Sequence, residues 1–195
     1  MNIQPPRIGP QPWEIVRTKL DQSLPFANMR ETPYYRDCVW DQFSKQEYDR
    51  RYAALRAKMR EQKLDAIIAP GGPSHWSFGG AMLWLTGHWE WHALAAYVLV
   101  PLEGEPTLIY SMGGTHAEAV RRQVDVVVKD VRHSRNGRYA DIMVERLREL
   151  KLERGRIGLM EIDPRHNDYM PVNQYNVLRH NLPDAELVFT KGLLH

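Results

Sequence analysis

The sequence predicts an α/β domain built on a mixed sheet of five or six strands, with helices on both faces of the sheet. Short apolar runs that are typical of buried strands alternate with segments whose apolar residues recur at helical spacing. One pair of strands is joined by only four residues, 102–105, so these two strands run antiparallel. Helices separate the other strands, and this arrangement favours parallel pairing.

The first helix is expected to begin at Ser44, which forms the capping box Ser-x-x-Glu with Glu47. Its apolar stripe contains Tyr48 and Tyr52, whereas Arg51 falls largely on another face. Buried strands are expected at residues 64–69 and 93–100, and the hairpin returns as a strand at residues 106–111. Residues 74–80, between the first two strands, are expected to be irregular or a short helical turn.

The second half of the domain alternates helices and strands. Helices are expected at residues 113–123, 139–151 and 171–181, and the last of these begins at Pro171, a residue favoured at the first position of a helix. The β-branched run 124–128 predicts a strand, and residues 129–138 predict a basic loop. The last strands are expected at residues 155–161 and 185–189.

Residues 1–43 predict an arm that precedes the domain. Six prolines interrupt this segment, yet its aromatic residues make it too apolar for a solvated tail, among them Trp13, Phe26, Tyr34, Tyr35 and Trp40. An arm of this composition is expected to lie on the surface of its own domain or of a neighbour.

Composition limits the possible functions. The chain has 195 residues, and its 26 basic and 24 acidic residues nearly balance, which does not indicate binding to nucleic acid or to a membrane. No apolar run approaches the roughly 18 residues of a transmembrane helix, and no signal core begins the chain. Cys38 is the single cysteine, which excludes an internal disulfide and fits a reducing compartment. We therefore expect a cytoplasmic protein.

The candidate site directly follows Gly87 in the sequence and consists of His88, Trp89, Glu90, Trp91 and His92. On an extended segment the two histidines and the glutamate share one face and the two tryptophans share the other. Two imidazoles and a carboxylate suit zinc or ferrous iron, but the helical zinc motif His-Glu-x-x-His is absent. We favour a rim that faces substrate or partner. A metal site and plain surface remain alternatives.

No other motif assembles a catalytic set. Ser111 lacks the glycine that a nucleophile elbow requires two positions earlier, since Ile109 stands there. Residues 113–115 follow a strand and open a helix, where an anion can bind, but an ordinary strand-to-helix turn is favoured. A solvated loop is also favoured for the basic residues that recur every third position, because no aromatic residues are interleaved with them. They are Lys129, Arg132, Arg135 and Arg138.

Five segments of the sequence carry a resemblance to one protein family. They are residues 47–59 with 64–68, the tetrapeptide Trp84-Leu85-Thr86-Gly87, and residues 98–108, 155–158 and 182–188. In this order they resemble the N-terminal domain of the creatinase, prolidase and aminopeptidase P family, the pita-bread metallopeptidases. The resemblance covers about residues 44–190, breaks between residues 70 and 83, and leaves the arm 1–43 without a counterpart.

The resemblance implies a ribonuclease-H-like domain that precedes a catalytic domain. In the family, that second domain binds two divalent metals (Mn, Zn or Co) through two Asp, one His and two Glu, a set with no match here. We therefore expect no cofactor in this chain, no activity by the chain alone, and a connection to a catalytic domain beginning at residues 191–195. The resemblance also implies a homodimer or higher homo-oligomer and a peptide or small amide substrate.

The favoured function is that of a non-catalytic N-terminal domain of a dinuclear-metal hydrolase, either an Xaa-Pro peptidase or a creatinase-like enzyme. The domain is expected to serve oligomerisation, through the aromatic arm and the tryptophan-rich stretch, and to shape the substrate pocket. One alternative is a stand-alone binding module without a catalytic partner. The other is a small metalloenzyme that uses His88, Glu90 and His92.

Overall fold

A computed structural model describes residues 43–71, 80–88, 94–111, 113–160, 170–190 and 192–194. The chain divides into two compact units after Asp41, and the described residues lie in the second unit. Apart from Phe43, the predicted arm lies outside the described residues.

Five helices and six strands form within the described part of the chain. The helices are α1 (Lys45–Glu61), α2 (Gly80–Thr86), α3 (Gly114–Val124), α4 (Tyr139–Glu149) and α5 (Val172–Asn181). The strands are β1 (Ala66–Gly71), β2 (Ala96–Pro101), β3 (Thr107–Tyr110), β4 (Asp130–His133), β5 (Arg156–Met160) and β6 (Glu186–Thr190).

The six strands form one mixed sheet in the order β4-β3-β2-β1-β5-β6. Strand β2 runs antiparallel to both of its neighbours, β1 and β3, while the other three pairs are parallel. The predicted fold class is thereby confirmed. Because only β2 is reversed, the carboxyl ends of the other five strands lie at the same edge of the sheet.

The two faces of the sheet bury separate cores, as the strict alternation of side chains along a strand requires. In β1, Ile67 and Ala69 pack in the core that contains α1, α2 and α3. Ala66 and Ile68 pack in the opposite core with α4 and α5. Helices on both faces were predicted, and this prediction is confirmed.

Helix α1 begins as its capping residue predicts. The Ser44 hydroxyl accepts a hydrogen bond from the Glu47 amide at 3.2 Å. Only half of the predicted capping box forms, because the Glu47 carboxylate binds the guanidinium groups of Arg50 and Arg51. The predicted apolar stripe, including Tyr48 and Tyr52, is buried.

The strand predicted at residues 124–128 is wrong. Val124 ends α3 and a turn follows it, so Val124 and Val128 are buried without joining the sheet. The strand is instead β4, which lies inside the segment predicted to be a basic loop. It pairs in parallel with β3 from Thr107↔Asp130 to Tyr110↔His133.

Strand β4 is polar, and its charged side chains are paired with side chains of helix α4. Arg132 donates to both carboxylate oxygens of Glu149 in α4, at 2.8 and 2.6 Å, and to Asp130 at 2.9 Å. The buried Thr107 hydroxyl donates to Asp130 at 2.8 Å and accepts from Arg146 at 2.9 Å. The contact of Arg132 with Glu149 spans 17 residues of the chain and that of Asp130 with Thr107 spans 23, so the local sequence of β4 resembles that of a loop.

Candidate functional site

The structure describes only one of the five predicted rim residues. Trp89, Glu90, Trp91 and His92 lie outside the described residues. His88 is described and is 3% exposed. This histidine lies inside the core on the α1, α2 and α3 face, and the substrate- or partner-facing rim stays a prediction.

Helix α2 ends two residues before His88 and thereby positions it in the core. The helix ends at the Leu-Thr-Gly motif, where the Thr86 hydroxyl donates to the carbonyl oxygen of Met82 at 2.7 Å. Gly87 has φ 73°, and its amide donates to the carbonyl oxygen of Leu83 at 2.9 Å. A left-handed residue of this kind commonly ends a helix, and glycine adopts it without steric cost.

Helix α1 holds the last turn of α2 through two buried side chains. Arg51 donates from Nη1 to the carbonyl oxygen of Trp84 at 3.0 Å, and the Tyr52 hydroxyl donates to that of Leu85 at 2.9 Å. The last carbonyls of a helix have no partners inside the helix, so these donors satisfy groups that would otherwise be buried unpaired. Burial raises the pKa of Tyr52 well above its usual range, which keeps the hydroxyl protonated as a donor.

Arg51 is buried because charge and aromatic rings surround it. Its Nε lies 2.8 Å from a carboxylate oxygen of Glu47. Its guanidinium lies 4.0 Å from the ring centroid of Phe43 and 5.3 Å from that of Trp84. Ion pairing and cation–π contacts offset the cost of removing the cation from water. The sequence-based assignment of Arg51 to another face of α1 is therefore corrected.

His88 is fixed by three contacts in the described part of the chain. Its amide donates to the Thr86 hydroxyl at 3.0 Å, and its ring meets that of Tyr110 edge-on with 5.3 Å between centroids. Ring atom Nδ1 lies 2.8 Å from Oε1 of Gln123 in α3. Because an amide oxygen only accepts hydrogen bonds, Nδ1 carries the proton in this arrangement.

The described residues do not fit a metal centre. Within them, no group of three or more His, Cys, Asp or Glu side chains is placed to hold an ion. Glu90 and His92 are not described, so the alternative that they bind a metal together with His88 stays a prediction.

Ser111, Gly113 and the predicted basic loop take part in the packing of the fold. The carbonyl oxygen of Ser111 accepts from the Ser134 hydroxyl at 3.2 Å, and Gly113 begins α3 without a side-chain cap. The predicted solvated basic loop is corrected in part, since Arg132 lies in β4. Three of its four basic residues pair with acids: Arg132 with Glu149, Arg135 with Glu145, and Arg138 with Asp141.

Sequence reasoning missed the residues that hold the site, namely Arg51, Tyr52 and Gln123. The available signal was slight: Arg51 stands four residues after Glu47 and beside Tyr52, a spacing that permits a buried ion pair. Nothing in the sequence links Gln123 to His88, which are 35 residues apart.

Comparison with known proteins identifies the family of this chain. The sequence model of the family described as Creatinase/Prolidase N-terminal domain matches residues 51–195. The chain belongs to this family. No curated protein sequence matches it.

Two solved structures of similar fold extend the comparison for this creatinase/prolidase N-terminal domain. Dipeptidase PepE from Mycobacterium ulcerans shares 18% identity with a TM-score of 0.50, over 76% of this chain and 36% of that chain. The second structure is that of an X-prolyl aminopeptidase from Caenorhabditis elegans, a cytosolic enzyme with a di-nuclear active site. It shares 13% identity with a TM-score of 0.41, and the match covers 80% of this chain and 23% of that chain. The chain thus spans about a third of the first protein and about a quarter of the second. At such identities, the likeness to the dipeptidase shows the fold alone.

No helix within the described ranges combines the length and the apolar character that spanning a membrane requires.

Proposed function

We propose that this chain is the non-catalytic N-terminal domain of a dinuclear-metal hydrolase that acts on Xaa-Pro peptides or on a creatine-like amide. The observation that carries the proposal is the family match over residues 51–195. The whole protein's reaction, its cytoplasmic location and its substrate are parts of this proposal.

In this role the domain shapes the substrate pocket through the segment that follows Gly87. The support is geometric: α1 holds the end of α2 through Arg51 and Tyr52, and α3 holds His88 through Gln123. His88, which directly precedes the other four residues of the predicted rim, is therefore held in place by the fold. Tryptophan side chains in the rim would cover apolar groups such as a proline ring, and Glu90 would meet a polar or charged end of the substrate.

The domain also serves oligomerisation in this proposal. Three large apolar side chains are exposed within the described residues: Phe43 at 47%, Val172 at 73% and Phe189 at 70%. Exposed apolar side chains that gather into a patch mark interfaces more often than single ones do.

The two divalent metals belong to the catalytic domain that such a domain accompanies. When bound there, they would polarise the scissile carbonyl and lower the pKa of an attacking water. The described residues of this chain do not fit a metal pair, as no group of three ligating side chains occurs among them. The part we assign to this chain is to position substrate and to hold subunits together.

The test uses the purified chain 1–195 after dialysis with Mn²⁺, Co²⁺, Zn²⁺ and Fe²⁺ in turn. We expect no stoichiometric metal, no hydrolysis of an Xaa-Pro dipeptide or of creatine, and sedimentation as a dimer or larger species. One zinc or iron per chain that is lost in His88→Ala would contradict the proposal and favour the small metalloenzyme. A metal-free monomer that binds an Xaa-Pro peptide by itself would favour the stand-alone binding module.

A further inference from the structure

Strand β6 leaves one side of the sheet open. It pairs in parallel with β5 from Arg156↔Glu186 to Met160↔Thr190, and none of the described strands pairs with its outer side. Open strand edges present unpaired backbone groups and are ready to pair with another chain.

The outward backbone groups of β6 belong to Leu187 and Phe189. The Glu186 amide donates to Gly155 at 3.0 Å on the β5 side. Because successive residues of a strand direct their N–H and C=O groups to opposite sides, Val188 also faces β5, and the two residues flanking Val188 face away. Their outward N–H and C=O groups find no partner among the described residues.

The two edges of the sheet differ in how they are protected. At the other edge, β4 carries Asp130 and Arg132 in a charged network with α4. Charge at an edge strand discourages pairing with another chain. Strand β6 instead runs Leu-Val-Phe through its centre, and Phe189 is 70% exposed.

An apolar surface continues from this edge onto α5. The Tyr175 ring stacks on Phe189 with 6.1 Å between centroids. Val172 lies one helical turn before Tyr175 and is 73% exposed. The open edge and the exposed side chains thus lie on the same side of the domain.

We propose that a second copy of this chain docks here, with the two β6 strands paired antiparallel about a two-fold axis at Val188. This inference rests on the oligomerisation part of the proposed function and names its surface. It differs from the expectation that the arm and the tryptophan-rich stretch associate.

The sequence of β6 is self-complementary in that register. Leu187 stands opposite Phe189 of the second copy, and these are the residues whose backbone groups point outward, so each such pair exchanges two hydrogen bonds. Glu186 stands opposite Thr190, so no like charges meet. A two-fold interface uses the same patch on both subunits, which this symmetrical register satisfies.

The register makes a specific prediction for a disulfide. The two Val188 residues form the non-hydrogen-bonded pair on the axis, where Cα atoms are about 4.5 Å apart. A disulfide bridges Cα atoms about 4.4–6.8 Å apart. In a Cys38→Ser background, Val188→Cys should therefore cross-link into a covalent dimer under mild oxidation, whereas the exposed control Ala53→Cys on α1 should not.

A second pair of variants tests association without covalent chemistry. Phe189→Lys places a charge at the strand edge while changing a side chain that is already 70% exposed. We expect it to sediment as a monomer at concentrations where the parent chain is a dimer. The matched control Ala53→Lys adds the same charge at an exposed position of α1, which packs on the opposite face of the sheet from α5, and should remain a dimer.

The outcomes separate this inference from the proposed function. A parent dimer that survives Phe189→Lys and yields no Val188→Cys cross-link overturns the β6 interface and leaves oligomerisation intact, through another surface. Loss of the dimer in both lysine variants overturns the β6 interface, because an added charge on another face of the domain then suffices to dissociate the dimer. A parent chain that is monomeric at tens of micromolar overturns the inference and the oligomerisation proposal together.

Discussion

Gln123 binds His88 across the core, with 2.8 Å between Oε1 of the amide and Nδ1 of the ring. The contact joins helix α3 to the residue that directly follows the Leu-Thr-Gly end of helix α2. It decides which ring nitrogen of a buried histidine carries the proton, since the amide oxygen only accepts. The point from which the chain enters residues 89–93 is therefore set by a residue of another helix.

Replacement of Gln123 by methionine should destabilise the domain. The change removes the acceptor and leaves Nδ1 of a buried ring without this hydrogen bond, which costs about 1–3 kcal/mol. Urea denaturation measures the free energy of unfolding. The control Gln62→Met alters an exposed residue just after α1 and should stay within about 0.5 kcal/mol of the parent. Equal stability of the two variants would show that the His88–Gln123 contact contributes nothing.

Two glycines should respond oppositely to alanine. A Cβ at Gly71 would lie 2.8 Å from Cε and 2.9 Å from Cβ of Met82, so α2 must shift away from β1. We expect Gly71→Ala to lower the free energy of unfolding by about 1–3 kcal/mol. A Cβ at Gly80 meets nothing within 4 Å, and Gly80→Ala should stabilise the domain by about 0.4–1 kcal/mol. Thermal denaturation of both variants decides the matter, and an unchanged Gly71→Ala would contradict the observed packing of α2.

The ion pairs of Glu149 should make stability depend on pH in the acid range. Hydrogen bonds from Arg132 lower the pKa of Glu149 from 4.5 to about 2. A carboxyl whose pKa is depressed by folding stabilises the fold fully above its unfolded pKa, and the contribution is lost as pH falls from about 4.5 toward 2.

Glu149→Gln should thus be less stable than the parent at pH 7 and should approach it near pH 2. Because Glu149 is 47% exposed and therefore screened, the difference at pH 7 should not exceed about 1 kcal/mol. Denaturation midpoints from pH 7 to 2 measure it. The exposed Glu153→Gln serves as control, and a parallel pH profile for both variants would argue against the ion-pair network.

The tryptophans of the predicted rim should affect substrate binding in an intact enzyme that carries this domain. A rim that positions substrate does no bond chemistry, so Trp89→Ala or Trp91→Ala should raise KM more than it lowers kcat. The expected loss in kcat/KM is on the order of 1–3 kcal/mol. Steady-state kinetics with an Xaa-Pro dipeptide provide the measurement. Unchanged kcat/KM and oligomeric state in both variants would identify the rim as bystander surface.

Helix α2 shows why local sequence was insufficient at the site. Its seven residues, Gly80–Thr86, are almost all apolar, so no helical periodicity distinguishes them from a strand or a loop. A helix this short is marginal without tertiary contacts. Here those contacts are the donors from Arg51 and Tyr52, which lie 33 residues earlier in the chain.

Strand β4 shows the same effect in a strand. The run of valines at residues 124–128 has the stronger intrinsic strand preference, yet it lies at the end of α3 and in the turn that follows. The polar segment Asp130–His133 becomes the strand because β3 offers it a parallel edge and α4 supplies Glu149 and Arg146 to its charges.

The sequence by itself determined the mixed α/β sheet, the start of α1 at Ser44 and the approximate places of five strands and four helices. Capping chemistry, side-chain periodicity and turn residues act over a few positions, so these features can be read along the chain. Tertiary structure alone decided the helix at α2, the edge strand β4, and the burial of Arg51 and His88. Each of these depends on partners far away in sequence, because a buried charge or a short helix is stable only where the fold supplies its hydrogen bonds.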